Sequence, residues 1–268
     1  YQFGIQAARA VPAPIYGTCT EAQSGYIVND TGASVLVLSG RDQLEKFLAA
    51  EAKGAFPKLR HLLTYGEDLS GEDPRIKSFD EVLALGTEAG LDGADARMAA
   101  IEADDVCQLI YTSGTTGKPK GVVMTNDNII ITSRNSVAFD KLTANEEILS
   151  YLPMAWVGDH IFSYGQAYVA GFCVNCPESE ATVHTDLREI GPTYYFAPPR
   201  VFENILTTVT IRMQDAGKLK QRMFNYFMEV ARKTGVDLLE GKAVSFKEKM
   251  LYRLGNFLVY APLKNTMG

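Results

Sequence analysis

Eleven consecutive residues, Tyr111-Thr-Ser-Gly-Thr-Thr-Gly-Lys-Pro-Lys-Gly121, gather four aliphatic hydroxyls, three glycines and two lysines into one short segment. A polyanion is the guest that such a set suits. Gly114, Gly117 and Gly121 permit backbone angles that a Cβ would forbid, which lets successive amides turn toward a phosphate. Thr112, Ser113, Thr115 and Thr116 add hydroxyls that donate to phosphate oxygens or ligate Mg²⁺. Lys118 and Lys120 bring positive charge to a group that carries several negative ones. The segment does not fit G-x-x-x-x-G-K-[ST], because only two residues separate Gly114 from Gly117 and Lys118 is followed by Pro119. It is a phosphate loop of another kind.

Ordered elements must hold such a loop. Val106, Leu109, Ile110 and Tyr111 read as a buried strand ahead of it, and Val122, Val123 and Met124 resume an apolar run after it. The first half of the chain alternates strand and helix: a strand over 11–16, a helix over 21–30 closed by Gly32, a strand over 34–39, a helix over 43–52 closed by Gly54, and a strand over 59–65. Residues 86–105 are polar and rich in Gly, Ala and Asp, which suggests a linking loop. Beyond the phosphate segment, Asn126 or Asp127 caps a helix through Phe139, and strands over 148–152, 172–175 and 194–197 alternate with helices over 161–170 and 185–190. Such alternation predicts an α/β fold of mostly parallel sheets covered by helices. From Arg200 the character changes to helical. Val201, Phe202, Ile205, Leu206 and Val209 mark one apolar stripe, and Met223, Phe224, Phe227, Met228 and Ala231 mark a second; core packing accounts for both. The division into subdomains is expected at 1–105 and 106–268.

The 268 residues, 46% of them hydrophobic, suffice for a substantial core. A net charge of −6 speaks against nucleic acid as a partner. The balance is uneven, with 12 basic against 6 acidic residues from Arg200 onward and 14 against 26 before it. Solvated helix faces explain this, and peripheral contact with an inner membrane surface is compatible with it. No apolar stretch nears the roughly 20 residues needed to cross a bilayer. Together with four cysteines in no metal-binding spacing, this leads us to expect a cytoplasmic protein in which Cys19, Cys107, Cys173 and Cys176 are structural thiols.

The ten positions from Thr112 to Gly121 resemble the phosphate-binding signature of the AMP-forming adenylate superfamily, which includes acyl-CoA synthetases, luciferases and peptide-synthetase adenylation domains. L-P-M-A-W at Leu152–Trp156 and A-P-P-R-V-F-E at Ala197–Glu203 are similar to segments of long-chain fatty-acid–CoA ligases, the bacterial ones among them. The resemblance implies ATP and CoA as co-substrates, Mg²⁺ held with the help of Thr115, and a fatty acid as the third small-molecule substrate. Trp156 would then line the acyl pocket, although it stands where that branch often has histidine. Tyr164-Gly165-Gln166 lacks the Thr-Glu of the family's Y-G-x-T-E segment, and no terminal catalytic lysine segment follows. We therefore expect an internal part of the large N-terminal domain of a longer enzyme, without a catalytic residue of its own and silent by itself.

Three other readings compete. Activation of another carboxylate, such as an aryl acid, uses the same loop. A non-catalytic nucleotide-binding module would bind phosphates without chemistry. A hydrolase would need a nucleophile elbow, and no G-x-S-x-G surrounds Ser113; His61, His160 and His184 then read as core or surface residues, with Asp159-His160 a helix start. Acyl chain length and oligomeric state are not encoded in any of these motifs.

Overall fold

The computed structural model describes residues 1–54, 56–90, 92–112 and 117–265. They form two compact units, one of residues 1–141 with 152–169, the other of residues 142–151 with the chain from Ala170 onward. These units part the chain at places other than residue 105.

The first unit opens with α1 (Gln2–Ala7) and α2 (Glu21–Thr31). A reciprocal cap starts α2: the Thr20 hydroxyl accepts from the Gln23 amide while the Gln23 side chain accepts from the Thr20 amide. Gly32 ends it in the left-handed conformation, at φ 61°. There follow β1 (Val35–Leu38), α3 (Arg41–Glu51), β2 (His61–Thr64) and β3 (Ile76–Ser78). The three strands form a parallel sheet in the order β1-β2-β3, with Leu36 opposite Leu62 and Leu62 opposite Ile76. Central β2 buries Leu62 completely among Leu38, Leu44, Phe47 and Ile76. Arg75 donates at 2.7 Å to both Glu51 oxygens and to Asp73, and its guanidinium lies 5.7 Å over the Phe47 ring.

Two segments of this unit depart from expectation. Residues 11–16 form no strand, because Pro12 and Pro14 offer no amide donors; Pro12 instead accepts one bond from the Leu109 amide at 3.0 Å. Residues 86–105 are not a simple loop. They hold the end of α4 (Phe79–Ala89) and all of α5 (Asp92–Ala99), and α4 buries no side chain, so intrinsic helix propensity outweighs the polar composition.

Next come β4 (Val106–Thr112), β5 (Lys120–Thr125) and α6 (Asn126–Asp140). β4 and β5 pair antiparallel. The cap of α6 is Thr125 rather than Asn126 or Asp127: its hydroxyl accepts from the Asn128 amide, and the Asn128 side chain accepts from the Thr125 amide. The helix expected over 161–170 begins earlier and changes type, with Asp159–Gly165 wound as a π-helix before α7 (Gln166–Ala170). Gly165 permits this against α6, since an added Cβ would lie 2.7 Å from the His160 carbonyl and against the Ser133 hydroxyl.

A buried polar cluster joins α1, β4 and the π-helix. Gln2, Gln108 and His160 are nearly or fully inaccessible. The His160 Nε2 lies 2.7 Å from the Met154 carbonyl, which only accepts, so Nε2 carries the proton. Nδ1 is then an acceptor, and the Tyr164 hydroxyl donates to it at 2.5 Å. The two Gln2 amide protons are left for Gln108 Oε1 at 3.0 Å and the Tyr164 oxygen at 2.8 Å. Burial pushes the imidazole pKa below its ordinary 6.5, which keeps this arrangement neutral. His61 and His184 lie at the surface.

The second unit holds β6 (Glu147–Leu149), β7 (Cys173–Asn175), α8 (Val183–Ile190), α9 (Pro199–Gln214), α10 (Lys218–Leu239), α11 (Phe246–Gly255), a π-helical turn at Asn256–Tyr260 and α12 (Ala261–Lys264). β6 and β7 run parallel. Residues 194–197 form no strand; the Thr193 amide and hydroxyl engage Glu146 and Glu147, and the Phe196 carbonyl accepts from Tyr151 at 3.1 Å. Met223, Phe224, Phe227 and Ala231 of α10 pack with Val259 and Tyr260, and the Tyr260 hydroxyl donates to the Phe227 carbonyl. The stripe on α9 is not core, for none of its residues is buried and Leu206 is 59% exposed. Periodicity names a face of a helix without naming what covers it. Cys173 and Cys176 are exposed free thiols rather than packed ones, whereas Cys107 is buried.

Two stability predictions follow from these cores. Leu62→Ala is expected to cost about 2–5 kcal/mol, read as a lowered urea midpoint. For His160, the unfolded chain takes up a proton as pH falls below 6.5 while the folded chain resists. Stability is therefore complete above that value and declines below it. Melting temperatures taken between about pH 7 and about pH 5.5 should fall in the wild type and fall less steeply in His160→Gln.

Candidate phosphate-binding hairpin

Apolar and β-branched residues make β4 and β5 strands, and their register sets what the hairpin presents. Tyr111 pairs with Gly121, and Thr112 pairs with Lys120. Directly paired residues project from the same face, so the side chains of Thr112 and Lys120 leave the end of the ladder on one side. Thr112, Gly117, Lys118 and Lys120 are all exposed. Ser113, Gly114, Thr115 and Thr116, the four other members expected of the phosphate loop, lie outside the described residues, and with Thr115 so does the expected Mg²⁺ contact.

Gly121 gives its neighbour across the ladder room for a close approach. An added Cβ would lie 3.0 Å from the Tyr111 ring, which crosses that strand. Tyr111 is buried, and its hydroxyl donates to Asp30 of α2 at 2.6 Å. Burial, reinforced by the Asp30 carboxylate, raises the phenol pKa far above its ordinary value, so it remains a donor. Tyr26, one helical turn before Asp30, donates to the other Asp30 oxygen at 3.3 Å. The Lys118 ammonium lies 5.2 Å over the Tyr26 ring, within cation–π range. Lys120 has no carboxylate partner among the described residues. Two exposed cations without an acidic partner among the described residues, on a hairpin that also carries Thr112 and Gly117, fit a phosphate chain.

Trp156 is half-buried, with its ring against Gly158, where an added Cβ would lie 2.6 Å from the ring. The Trp156 amide donates to Pro153 and its carbonyl accepts from Asp159, which makes a tight turn of the L-P-M-A-W segment. His160 holds the Met154 carbonyl of that same turn. The side chains that organise the site without being visible in the sequence are Tyr26, Asp30, Gln2 and Tyr164. Gln108 left a signal, being an amide inside an otherwise apolar strand; Asp30 left none, since 81 residues separate it from Tyr111.

Among the described residues no cluster of His, Cys, Asp or Glu could hold a metal ion by itself, and no helix is long and apolar enough to cross a membrane. A cleft of about 200 Å³ lined by Arg9, Val11, Ile101, Asp105 and Cys107 lies at the start of β4, the opposite end of that strand from Thr112.

The chain is similar to known proteins along most of its length. The family model of AMP-binding enzymes matches residues 1–247. Long-chain-fatty-acid–CoA ligase ACSBG1 of Rattus norvegicus is 29% identical over 99% of this chain, which covers 37% of that protein. Long-chain-fatty-acid–CoA ligase FadD15 of Mycobacterium bovis is 30% identical over 99% of this chain and 43% of its own length. The chain thus spans about two fifths of these relatives. The crystal structure of a long-chain-fatty-acid–CoA ligase from Archaeoglobus fulgidus superposes over 81% of this chain and 40% of its own, with a TM-score of 0.60 and 20% identity, and it supports the α/β fold of part of an adenylate-forming domain. The match of the family model over most of the chain, with the hairpin inside it, shows that the chain belongs to the AMP-binding enzymes.

Proposed function

We propose that this chain supplies the nucleotide-phosphate site of an ATP-dependent acid–CoA ligase whose acid is a long-chain fatty acid. The observation that carries this reading is the pair of exposed lysines, Lys118 and Lys120, set beside Thr112 on a hairpin within an AMP-binding family match. The choice of acid rests on the long-chain-fatty-acid–CoA ligases among the relatives.

In this reading the fatty carboxylate attacks the α-phosphorus of ATP, the bond to the bridging oxygen breaks, and pyrophosphate leaves with the electron pair. Thiolate attack by CoA on the acyl carbonyl then forms the thioester and expels AMP. The hairpin works on the departing end. Its ammonium groups and the Thr112 hydroxyl neutralise the β- and γ-phosphates, stabilising charge that grows on the leaving group. Thr115 is the residue of this chain that would contact Mg²⁺, which would supply further charge against the same phosphates. Trp156, in its turn at the start of the π-helix, is the residue we place at the acyl pocket. The substrates are small molecules, and we place the reaction in the cytoplasm.

The test uses the full-length polypeptide that the gene encodes. Fatty acid should drive exchange of labelled pyrophosphate into ATP, and a series of acyl lengths with aryl acids beside it should peak at long chains; a peak at aryl acids would overturn the choice of acid. Lys120→Ala is expected to weaken MgATP binding by about tenfold or more, as loss of a charge-assisted bond to phosphate would. Calorimetry that finds unchanged affinity would remove Lys120 from the site.

A further inference from the structure

The sequence segment that resembles a phosphate loop contains nothing that fixes where its ends stand. Its outgoing end is Tyr111-Thr112 and its return end is Lys120-Gly121, and the two are tied to each other by the register of the ladder. A two-stranded ribbon by itself is a weak support. What holds this one at its loop end comes from α2.

Tyr26 and Asp30 are four residues apart on α2 and so share one face. The adjoining residues Ile27 and Val28 are buried, and Val28 belongs to the core around Leu62. The helix is thus fixed from one side and turns the Tyr26–Asp30 face to the hairpin. Three contacts converge there. Tyr111 of the outgoing strand donates to Asp30 at 2.6 Å. The same ring lies against Gly121 of the return strand, so one hydrogen bond locates both strands. Lys118, between them, rests 5.2 Å above the Tyr26 ring.

A carboxylate beside an anion site would ordinarily oppose the anion. Asp30 accepts from two phenols, Tyr111 on one oxygen and Tyr26 on the other. Its charge is thereby spread over two donors rather than offered to a lysine, and the geometry leaves the Lys118 ammonium on an aromatic face instead of in a salt bridge. An ammonium on a ring keeps its charge without a carboxylate to neutralise it, and so remains available to an anion.

We propose that Asp30, through Tyr111, is a positioning residue for the nucleotide phosphates: α2 is the platform that places the two ends of the hairpin and Lys118, and it acts on ATP without touching it. This rests on the nucleotide reading of the hairpin given above.

The test is calorimetric titration of MgATP into the full-length polypeptide carrying Asp30→Asn, Tyr111→Phe, or both, together with steady-state rates. Each single change is expected to raise the Kd for MgATP by about 3- to 10-fold, and the double change by no more than the larger single one, because both remove the same bond. In turnover the effect should appear in KM for ATP, with KM for the acid unchanged. Asp30→Glu, which retains the carboxylate, should recover most of the affinity. Wild-type protein that does not bind MgATP would overturn the nucleotide reading and this proposal with it. Binding by the wild type with both variants inside a factor of two of it, or variants that lower only the melting temperature, would overturn the platform alone. Asp30 is exposed, so Asp30→Asn carries the test even if Tyr111→Phe does not fold.

Discussion

Between Val106 and Thr112 a single strand has to satisfy two opposed demands, lying in an interior that buries Cys107, Gln108, Ile110 and Tyr111 while ending in solvent at Thr112. The change from dry to wet takes place over one residue. It is sustained because β4 is paired with β5 as far as Thr112 and Lys120, while on its other edge the Leu109 amide donates to the Pro12 carbonyl at 3.0 Å. Were the ladder to slip by one residue, Tyr111 would meet a residue with a Cβ in place of Gly121, and the close approach of ring to backbone would be lost.

The interior behind the strand is not purely apolar. Gln108 sits within β4 with no exposure and shares its amide oxygen with Gln2, while His160 and Tyr164 complete the cluster from the π-helix. One unsatisfied amide costs about 1–3 kcal/mol, so a group of this kind survives only where its geometry is nearly complete. Here the Gln108 amide nitrogen has no partner among the described residues, nor has the Ser133 hydroxyl below Gly165. The cluster gives the molecule a directional link that apolar contacts cannot supply: a proton on Nε2 is committed to Met154, and so the turn bearing Trp156 is referred to the same strand that bears the phosphate hairpin. The π-helix is part of this, since its wider winding places His160 and Tyr164 where their polar atoms meet.

Under the proposed function the organisation around the hairpin has a use: a site that stabilises a highly charged leaving group works by having its dipoles and cations in place beforehand. In this chain the rigid parts, the parallel sheet with its core at Leu62 and the helix α2 packed on it, lie sequentially before the hairpin, and the polar cluster draws on residues both before and after it.

The residue types from Thr112 to Gly121 were enough to propose a phosphate ligand, because glycine, hydroxyl and lysine at that spacing have few other uses, and the alternation of apolar runs was enough for an α/β class and for most helices. Local signals also sufficed for Gly32 and for the stripe on α10. They failed where the outcome depends on a partner distant in the chain. Residues 11–16 and 194–197 have strand-like composition yet find no ladder, α9 has an amphipathic face that nothing among the described residues buries, and Thr125 outcompetes Asn126 and Asp127 for a cap that all three could fill. The contacts of Tyr111 with Asp30, of Lys118 with Tyr26 and of Gln2 with His160 span 81 to 158 residues or bring together types with no preferred spacing. The amino-acid sequence determined by itself which chemistry the hairpin offers, since that resides in functional groups; where those groups stand was decided only by tertiary packing, because position is a property of the surfaces that close around them.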